Sequence, residues 1–142
     1  MQSLVSTFLD GGPVMWPILI LSIIGVAIVF DRFFAFRTFF KEDTSQIADP
    51  QARLNALSRG FGVISTIITA EPMLGILGTV TGIIHTFSAF KLDAASSPVA
   101  ATAGIAEALI TTAGGLIAAL ILLFPYNFLL GLLAKAQARL EK

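Results

Sequence analysis

The sequence predicts an all-α membrane protein with three transmembrane helices and helical extensions into the cytoplasm. The chain has 142 residues, of which 56% are hydrophobic and 13% are charged, unlike the usual soluble domain. Its mean hydropathy is +0.87. Uncharged runs at residues 11–30, 72–90 and 108–134 each have about the length of a spanning helix, which needs roughly 20 residues. We therefore expect a single membrane domain over residues 1–142.

The charged residues predict the orientation of this domain. Nine Lys and Arg balance nine Asp and Glu, so the net charge gives no reason to expect a nucleic-acid partner. Eight of the nine basic residues lie between the first two apolar runs or after the third, and only Lys91 lies between the second and third. The positive-inside rule then places the N-terminus outside and the C-terminus in the cytoplasm. Because cysteine is absent and there is one histidine, we expect no metal site and no cofactor.

The first transmembrane helix is predicted at about residues 14–36. It follows a turn signal, DGGP at residues 10–13, and residues 2–9 are expected to lie on the outer membrane surface. No Lys or Arg precedes the run and no small-residue cleavage site follows it, so it is interpreted as a retained helix and not as a signal peptide. A cytoplasmic loop covers about residues 37–68, and Asp49-Pro50 within it is typical of a helix start.

The second transmembrane helix is predicted at about residues 70–90. Threonines Thr79 and Thr86, seven residues apart, share a stripe with glycines, and they either line a path or bond to their own backbone. The glycine spacing of i, i+3 and i+7 lets a neighbouring backbone approach closely. These glycines are Gly75, Gly78 and Gly82.

Two titratable groups lie within this second helix. Glu71, directly before Pro72, lies near its inner end. His85 is a candidate proton carrier because of its imidazole group, but its position near the outer end favours an interfacial or hydrogen-bonded structural role.

The third transmembrane helix is predicted at about residues 98–130, opening at Pro98. Glu107 then lies about 13 Å along the helix axis at 1.5 Å per residue, within the hydrocarbon. A carboxylate at this depth costs about 2.5–3.5 kcal/mol on insertion scales, so it should face the bundle interior or a wet cavity. From the residues alone, Glu107 either lies on a proton or ion path or stabilises the helix bundle through hydrogen bonds to threonines of the second helix.

The neighbours of Glu107 continue a polar and small-residue surface. Thr111 shares its face at i+4, and Thr112 points about 100° away to an adjacent face. Gly114 and Gly115 extend the small-residue stripe toward the cytoplasm and are candidate packing positions.

Together these segments resemble the MotA/TolQ/ExbB proton channel family, closest to its ExbB and TolQ branch. The resemblance rests on Glu71-Pro72 with MLGILGTVTGIIHTF, and on GIAEALITTAGGLIAAL after an outer turn. It covers nearly the whole chain except residues 41–60. It implies a homopentameric ring around a dimeric, single-span ExbD- or TolR-like partner in the bacterial inner membrane. In that family the proton motive force energises outer-membrane transport or envelope processes, through a TonB- or TolA-like protein, and no enzyme activity is implied.

The resemblance also implies site residues. By position, Thr79 and Thr112 match the pore threonines and Glu107 the third-helix glutamate of the proton pathway. Because glycine, threonine and acidic residues are concentrated in the second and third helices, we expect these helices to line the central space and the first helix to face lipid. Glu71 stands where the family usually has alanine and is a candidate inner-mouth acid, either a site of proton uptake or release or a solvated cap. The cytoplasmic loop is much shorter than in typical members. Two alternatives remain, a non-conducting scaffold subunit and a flagellar-stator-like member, for which the polar stretch at residues 41–60 is too short to grip a rotor.

Overall fold

The computed structural model describes residues 11–42, 49–92 and 98–141. In these ranges the chain forms helices and no β-strand, and segments of three helices are long and apolar enough to cross a membrane. The predicted all-α membrane fold is therefore confirmed. The expected surface segment at residues 2–9 and most of the outer turn lie outside the described residues. The helices are α1 (Met15–Phe39), α2 (Pro50–Ser58), α3 (Phe61–Leu92) and α4 (Pro98–Leu140).

The second and third spanning helices are much longer than the bilayer is thick. α3 has 32 residues and α4 has 43, which corresponds to about 48 and 64 Å at 1.5 Å per residue. The hydrocarbon core measures roughly 30 Å, so both helices extend beyond it. Each has one proline in its interior, Pro72 in α3 and Pro125 in α4, and both helices continue through it because the remaining backbone hydrogen bonds hold the turns on either side.

The short helix α2 begins and ends at residues suited to those positions. Asp49 caps it, since its Oδ1 accepts the N–H of Ala52 at 3.0 Å, and Pro50 occupies the first turn. After α2, Gly60 has a φ of +88°, in the left-handed region that glycine adopts without steric penalty. The chain therefore passes from α2 to α3 within two residues and continues as α3 from Phe61.

An apolar cluster joins all four helices at the end of the bundle that carries α2. Arg139 of α4 lies over the rings of Phe39 and Phe40, 5.9 and 6.0 Å from their centroids. It also donates to the carbonyl oxygens of Phe40 and Glu42 at 3.2 and 3.1 Å. The cluster therefore holds the four helices together at this end of the bundle. The buried members of the cluster are Phe36, Phe39, Leu57, Phe61, Leu129 and Ala136.

Large apolar side chains are exposed along the rest of the three spanning helices. A bilayer or another protein must cover this surface, because a soluble monomer rarely exposes apolar patches of such extent. α3 and α4 form the most extensive helix pair, with α1 packed against both. Examples of exposed residues are Ile23 in α1, Ile76 and Phe87 in α3, and Ile117 and Phe124 in α4.

Candidate proton pathway

Glycines line the contact between α3 and α4 and let the two backbones approach closely. A Cβ added to Gly75 would lie 3.1 Å from Thr112 Cα, and one added to Gly115 would lie 3.1 Å from Gly75 Cα. Both distances are below the roughly 3.5 Å at which carbon atoms normally pack. Such close packing holds helices together where lipid provides no hydrophobic drive to association. The glycines in this contact are Gly75, Gly78, Gly82 and Gly115.

The remaining candidate packing glycine, Gly114, belongs to a different contact. A Cβ there would lie 2.9 Å from Cε of Met15 in α1. Adjacent glycines of α4 therefore serve two neighbours, with Gly115 facing α3 and Gly114 facing α1. This arrangement places α1 against the helix that carries the candidate carboxylate.

Thr79 of α3 and Thr112 of α4 meet directly across the glycine-lined contact. Their hydroxyls are hydrogen-bonded to each other. Thr112 Oγ1 also lies 2.9 Å from the carbonyl oxygen of Gly75, and Thr79 Oγ1 lies 3.3 Å from that of Ala108. Because each hydroxyl has one hydrogen, one threonine donates to the other and the second donates to a backbone carbonyl. The direction of this short chain reverses when both hydroxyls rotate.

Glu107 lines a pocket of about 510 Å³ between α3, α4 and the start of α1. Its side chain is exposed in the single chain, and no ion pair within the described ranges involves it. The walls also include Thr81 and His85 of α3 and residues 11–14. The pocket therefore gathers a carboxylate, an imidazole and hydroxyl groups around one open space.

Residues 11–14, directly before α1, close one side of this pocket. The hydroxyl of Thr111, which is 1% exposed, donates to the carbonyl oxygen of Gly11. Gly12 has a φ of +72°, and a Cβ there would lie 2.6 Å from Glu107 Oε1. Any other residue would be strained at this angle and would contact the carboxylate. The residues of the turn before α1 thus lie against Glu107.

Thr86, another of the predicted threonines, also lines the pocket. Its hydroxyl donates to the carbonyl oxygen of Gly82 in its own helix at 2.9 Å. Its side chain packs against Gly104 of α4. Thr86 therefore contributes to the α3–α4 contact near His85, while Thr79 makes the hydroxyl contact deeper in the bundle.

Glu71 lies apart from this pocket, at the junction of α1, α3 and α4. It is fully buried, and the hydroxyl of Ser22 in α1 lies 2.6 Å from its Oε1. Gly115 of α4 packs against its carbonyl oxygen. This position differs from the solvated cap considered from the sequence, because α1 covers the side chain and Gly115 lets α4 approach it.

Two residues of these sites were not predicted from the sequence. Ser22 is the only hydroxyl residue in the apolar run at residues 11–30, and a buried polar group needs a partner. That need was visible in the sequence, but the partner Glu71 was not. Gly12 was recognised as part of a turn, whereas its approach to Glu107 follows only from how α1 and α4 pack.

The sequence profile of the MotA/TolQ/ExbB proton channel family matches residues 40–142. The chain is 30% identical to the biopolymer transport protein ExbB of Aquifex aeolicus, over 91% of this chain and 84% of that protein. It is likewise 30% identical to the putative biopolymer transport protein ExbB-like 1 of Synechocystis, over 91% of this chain and 71% of that protein. The Tol-Pal system protein TolQ of Haemophilus influenzae is 37% identical over 52% of this chain.

Several other relatives are considerably longer than this chain, which spans 32% of TolQ and 22–45% of three ExbB proteins. The residues that match the family profile nevertheless include both helices of the candidate pathway, α3 and α4. With the profile covering most of the chain and two relatives aligned over nearly all of it, the chain belongs to the MotA/TolQ/ExbB proton channel family, in its ExbB and TolQ branch, and is a multi-pass protein of the inner membrane.

Proposed function

We propose that the chain is the ring-forming subunit of an inner-membrane proton channel that, with an ExbD- or TolR-like partner, uses the proton motive force to energise outer-membrane transport or envelope processes. The observation that carries this proposal is the direct hydroxyl contact between Thr79 and Thr112. These are the positions that the family resemblance assigns to the pore. A reversible hydroxyl chain can pass or stabilise a proton, which an apolar helix contact cannot do.

Glu107 is the proposed acidic group of the same pathway, with Thr111 and Thr86 beside it. A carboxylate within a spanning helix is costly unless it faces water or a polar partner. The open pocket at Glu107 provides space for either. The ring subunit hydrates and hydrogen-bonds the route, while the aspartate that takes up and releases the proton belongs to the partner helix.

A homopentameric ring with α3 and α4 around the central space and α1 toward lipid accounts for the exposed apolar surface. Its N-terminus is proposed to lie outside and its C-terminus in the cytoplasm, as the basic residues indicate. Single cysteines introduced at Ile23 and Val26 of α1 test this arrangement without background, because the natural chain has none. Cross-linking of either position to the partner helix at the central axis contradicts the arrangement.

Proton flux into liposomes that contain the chain and its partner tests the pathway. Glu107→Gln and Thr112→Val each remove a group of the proposed route while preserving its size. Loss of one stabilising hydrogen bond worth about 1.4 kcal/mol slows transport roughly tenfold. Thr69→Val is the matched control, because the Thr69 hydroxyl is exposed and bonds only to Ser65 of its own helix at 3.0 Å.

A non-conducting scaffold is the alternative, and one observation favours it: the hydroxyl chain at Thr79 and Thr112 ends on the backbone carbonyls of Gly75 and Ala108. In a scaffold, these bonds only hold α3 to α4. Liposomes that contain the natural chain and its partner would then show no proton flux, and Thr112→Val would only weaken assembly. Undiminished flux in both Glu107→Gln and Thr112→Val removes the site assignment.

A further inference from the structure

A second acidic group, remote from the Glu107 pocket, lies where the three spanning helices meet. Glu71 is 0% exposed, and its Oε2 has no hydrogen-bond partner among the described residues. No ion pair within the described ranges involves it. An ionised carboxylate in such surroundings, without a cation and with one oxygen unpartnered, is strongly destabilising.

The hydrogen bonds around Ser22 indicate how this burial is accommodated. Ser22 Oγ lies 2.6 Å from Glu71 Oε1 and 2.9 Å from the carbonyl oxygen of Ile18 in its own helix. A serine hydroxyl has a single hydrogen, and both neighbours are acceptors when Glu71 is ionised. Only one of the two contacts can then be a hydrogen bond. If Glu71 carries a proton on Oε1, it donates to Ser22 Oγ and Ser22 donates to Ile18, so both contacts are satisfied.

We propose that the junction of α1, α3 and α4 is a proton-binding site, in which Glu71 holds the proton and Ser22 relays its hydrogen bond to the carbonyl of Ile18. Oε2 is then the carbonyl oxygen of a neutral acid, whose burial without a partner costs far less than that of a charged oxygen. The site belongs to the subunit itself and depends neither on a partner protein nor on the proposed proton flux.

Ser22 also connects this site to the surface of the bundle. It lines an apolar groove of about 550 Å³ between α1 and α4, together with residues such as Ile18 and Gly114. The hydroxyl therefore lies between the buried carboxyl group and the groove. Release of the proton removes one of the two bonds at Ser22 and leaves a charge inside the bundle, so proton binding at Glu71 favours the packing of α1 against α3.

Infrared spectroscopy of the protein in lipid at neutral pH tests this proposal directly. A protonated carboxyl group gives a C=O stretching band above the amide I band, whereas a carboxylate or a sodium-bound carboxylate does not. We expect this band in the natural protein, its loss in Glu71→Gln, and its retention in Glu107→Gln. The Glu71→Gln variant should keep the fold because a side-chain amide can also donate to Ser22 Oγ, and circular dichroism checks that helix content is kept.

Ser22→Ala provides the second measurement. It removes the acceptor of the carboxyl hydrogen, so the band should persist and shift to higher frequency. Identical spectra for the natural protein and Glu71→Gln overturn the proposal, as does a natural protein without the band. A band that does not move in Ser22→Ala overturns the assignment of Ser22 as the partner.

Discussion

Gly115→Ala probes the closest approach of α3 and α4. The new Cβ would lie against the carbonyl oxygen of Glu71 and 3.1 and 3.2 Å from Gly75 Cα and N. All of these are backbone atoms, so no side chain can rotate away and the helices must separate by several tenths of an ångström. Overpacking of this kind lowers stability by about 1–3 kcal/mol. The higher helix propensity of alanine over glycine offsets about 0.8–1.0 kcal/mol of this loss.

Gly131→Ala in the same helix is the matched control, because a Cβ there meets no atom of the described residues within 4 Å. Both variants gain the same helix propensity, so the difference between their free energies of unfolding reports the contact at Gly115 alone. We expect Gly115→Ala to unfold with a free energy about 1–3 kcal/mol below that of Gly131→Ala, measured by titrating sodium dodecyl sulfate into mixed micelles and following circular dichroism. Equal stabilities would refute the close contact of α3 and α4 at Gly115.

Three further changes test the α2 end of the bundle. Asp49→Ala removes the cap of α2 and should cost about 1 kcal/mol, seen as faster amide hydrogen exchange across α2, while Asp49→Asn should retain protection. Gly60→Ala places a side chain at a φ of +88° and should destabilise by about 1–2 kcal/mol in detergent unfolding, whereas Gly62→Ala, with open space around it, should not. Arg139→Ala loses two hydrogen bonds to carbonyls and should cost roughly 1–3 kcal/mol. Arg139→Lys should recover only part of this loss, because lysine lacks the planar fork, and equal unfolding of the alanine and lysine variants would contradict the assigned contacts.

The features that could be predicted from the sequence are those set by local chemistry. Hydropathy alone identifies three spans, and the capping chemistry of Asp49-Pro50 fixes the start of α2. The glycine spacing at Gly75, Gly78 and Gly82 identifies a face built for close contact, which in the structure meets α4. Each of these depends on neighbouring positions in the chain and not on a distant partner.

The contacts that could not be predicted are those between faces far apart in sequence. Helical periodicity shows which residues share a face, but it does not show which helix covers that face. The bond between Ser22 and Glu71 and that between Thr111 and Gly11 depend on how α1 lies across α3 and α4. Whether Glu107 faces water depends further on the assembly, because its side chain is exposed in the single chain.

The environment of residue 107 in the assembled complex is the most direct test of the proposed pathway. Because the chain has no natural cysteine, a thiol-reactive spin label attaches only at an introduced one. Glu107→Cys places the label at the proposed pathway, and Ile23→Cys on the exposed face of α1 provides the lipid reference. The relaxation of the spin label by a water-soluble nickel chelate and by oxygen is measured in lipid with the partner present. The ratio of the two effects distinguishes a position that faces water from one that faces lipid. We expect contact with the nickel chelate at position 107 and preference for oxygen at position 23. The same strong preference for oxygen at both positions would contradict it.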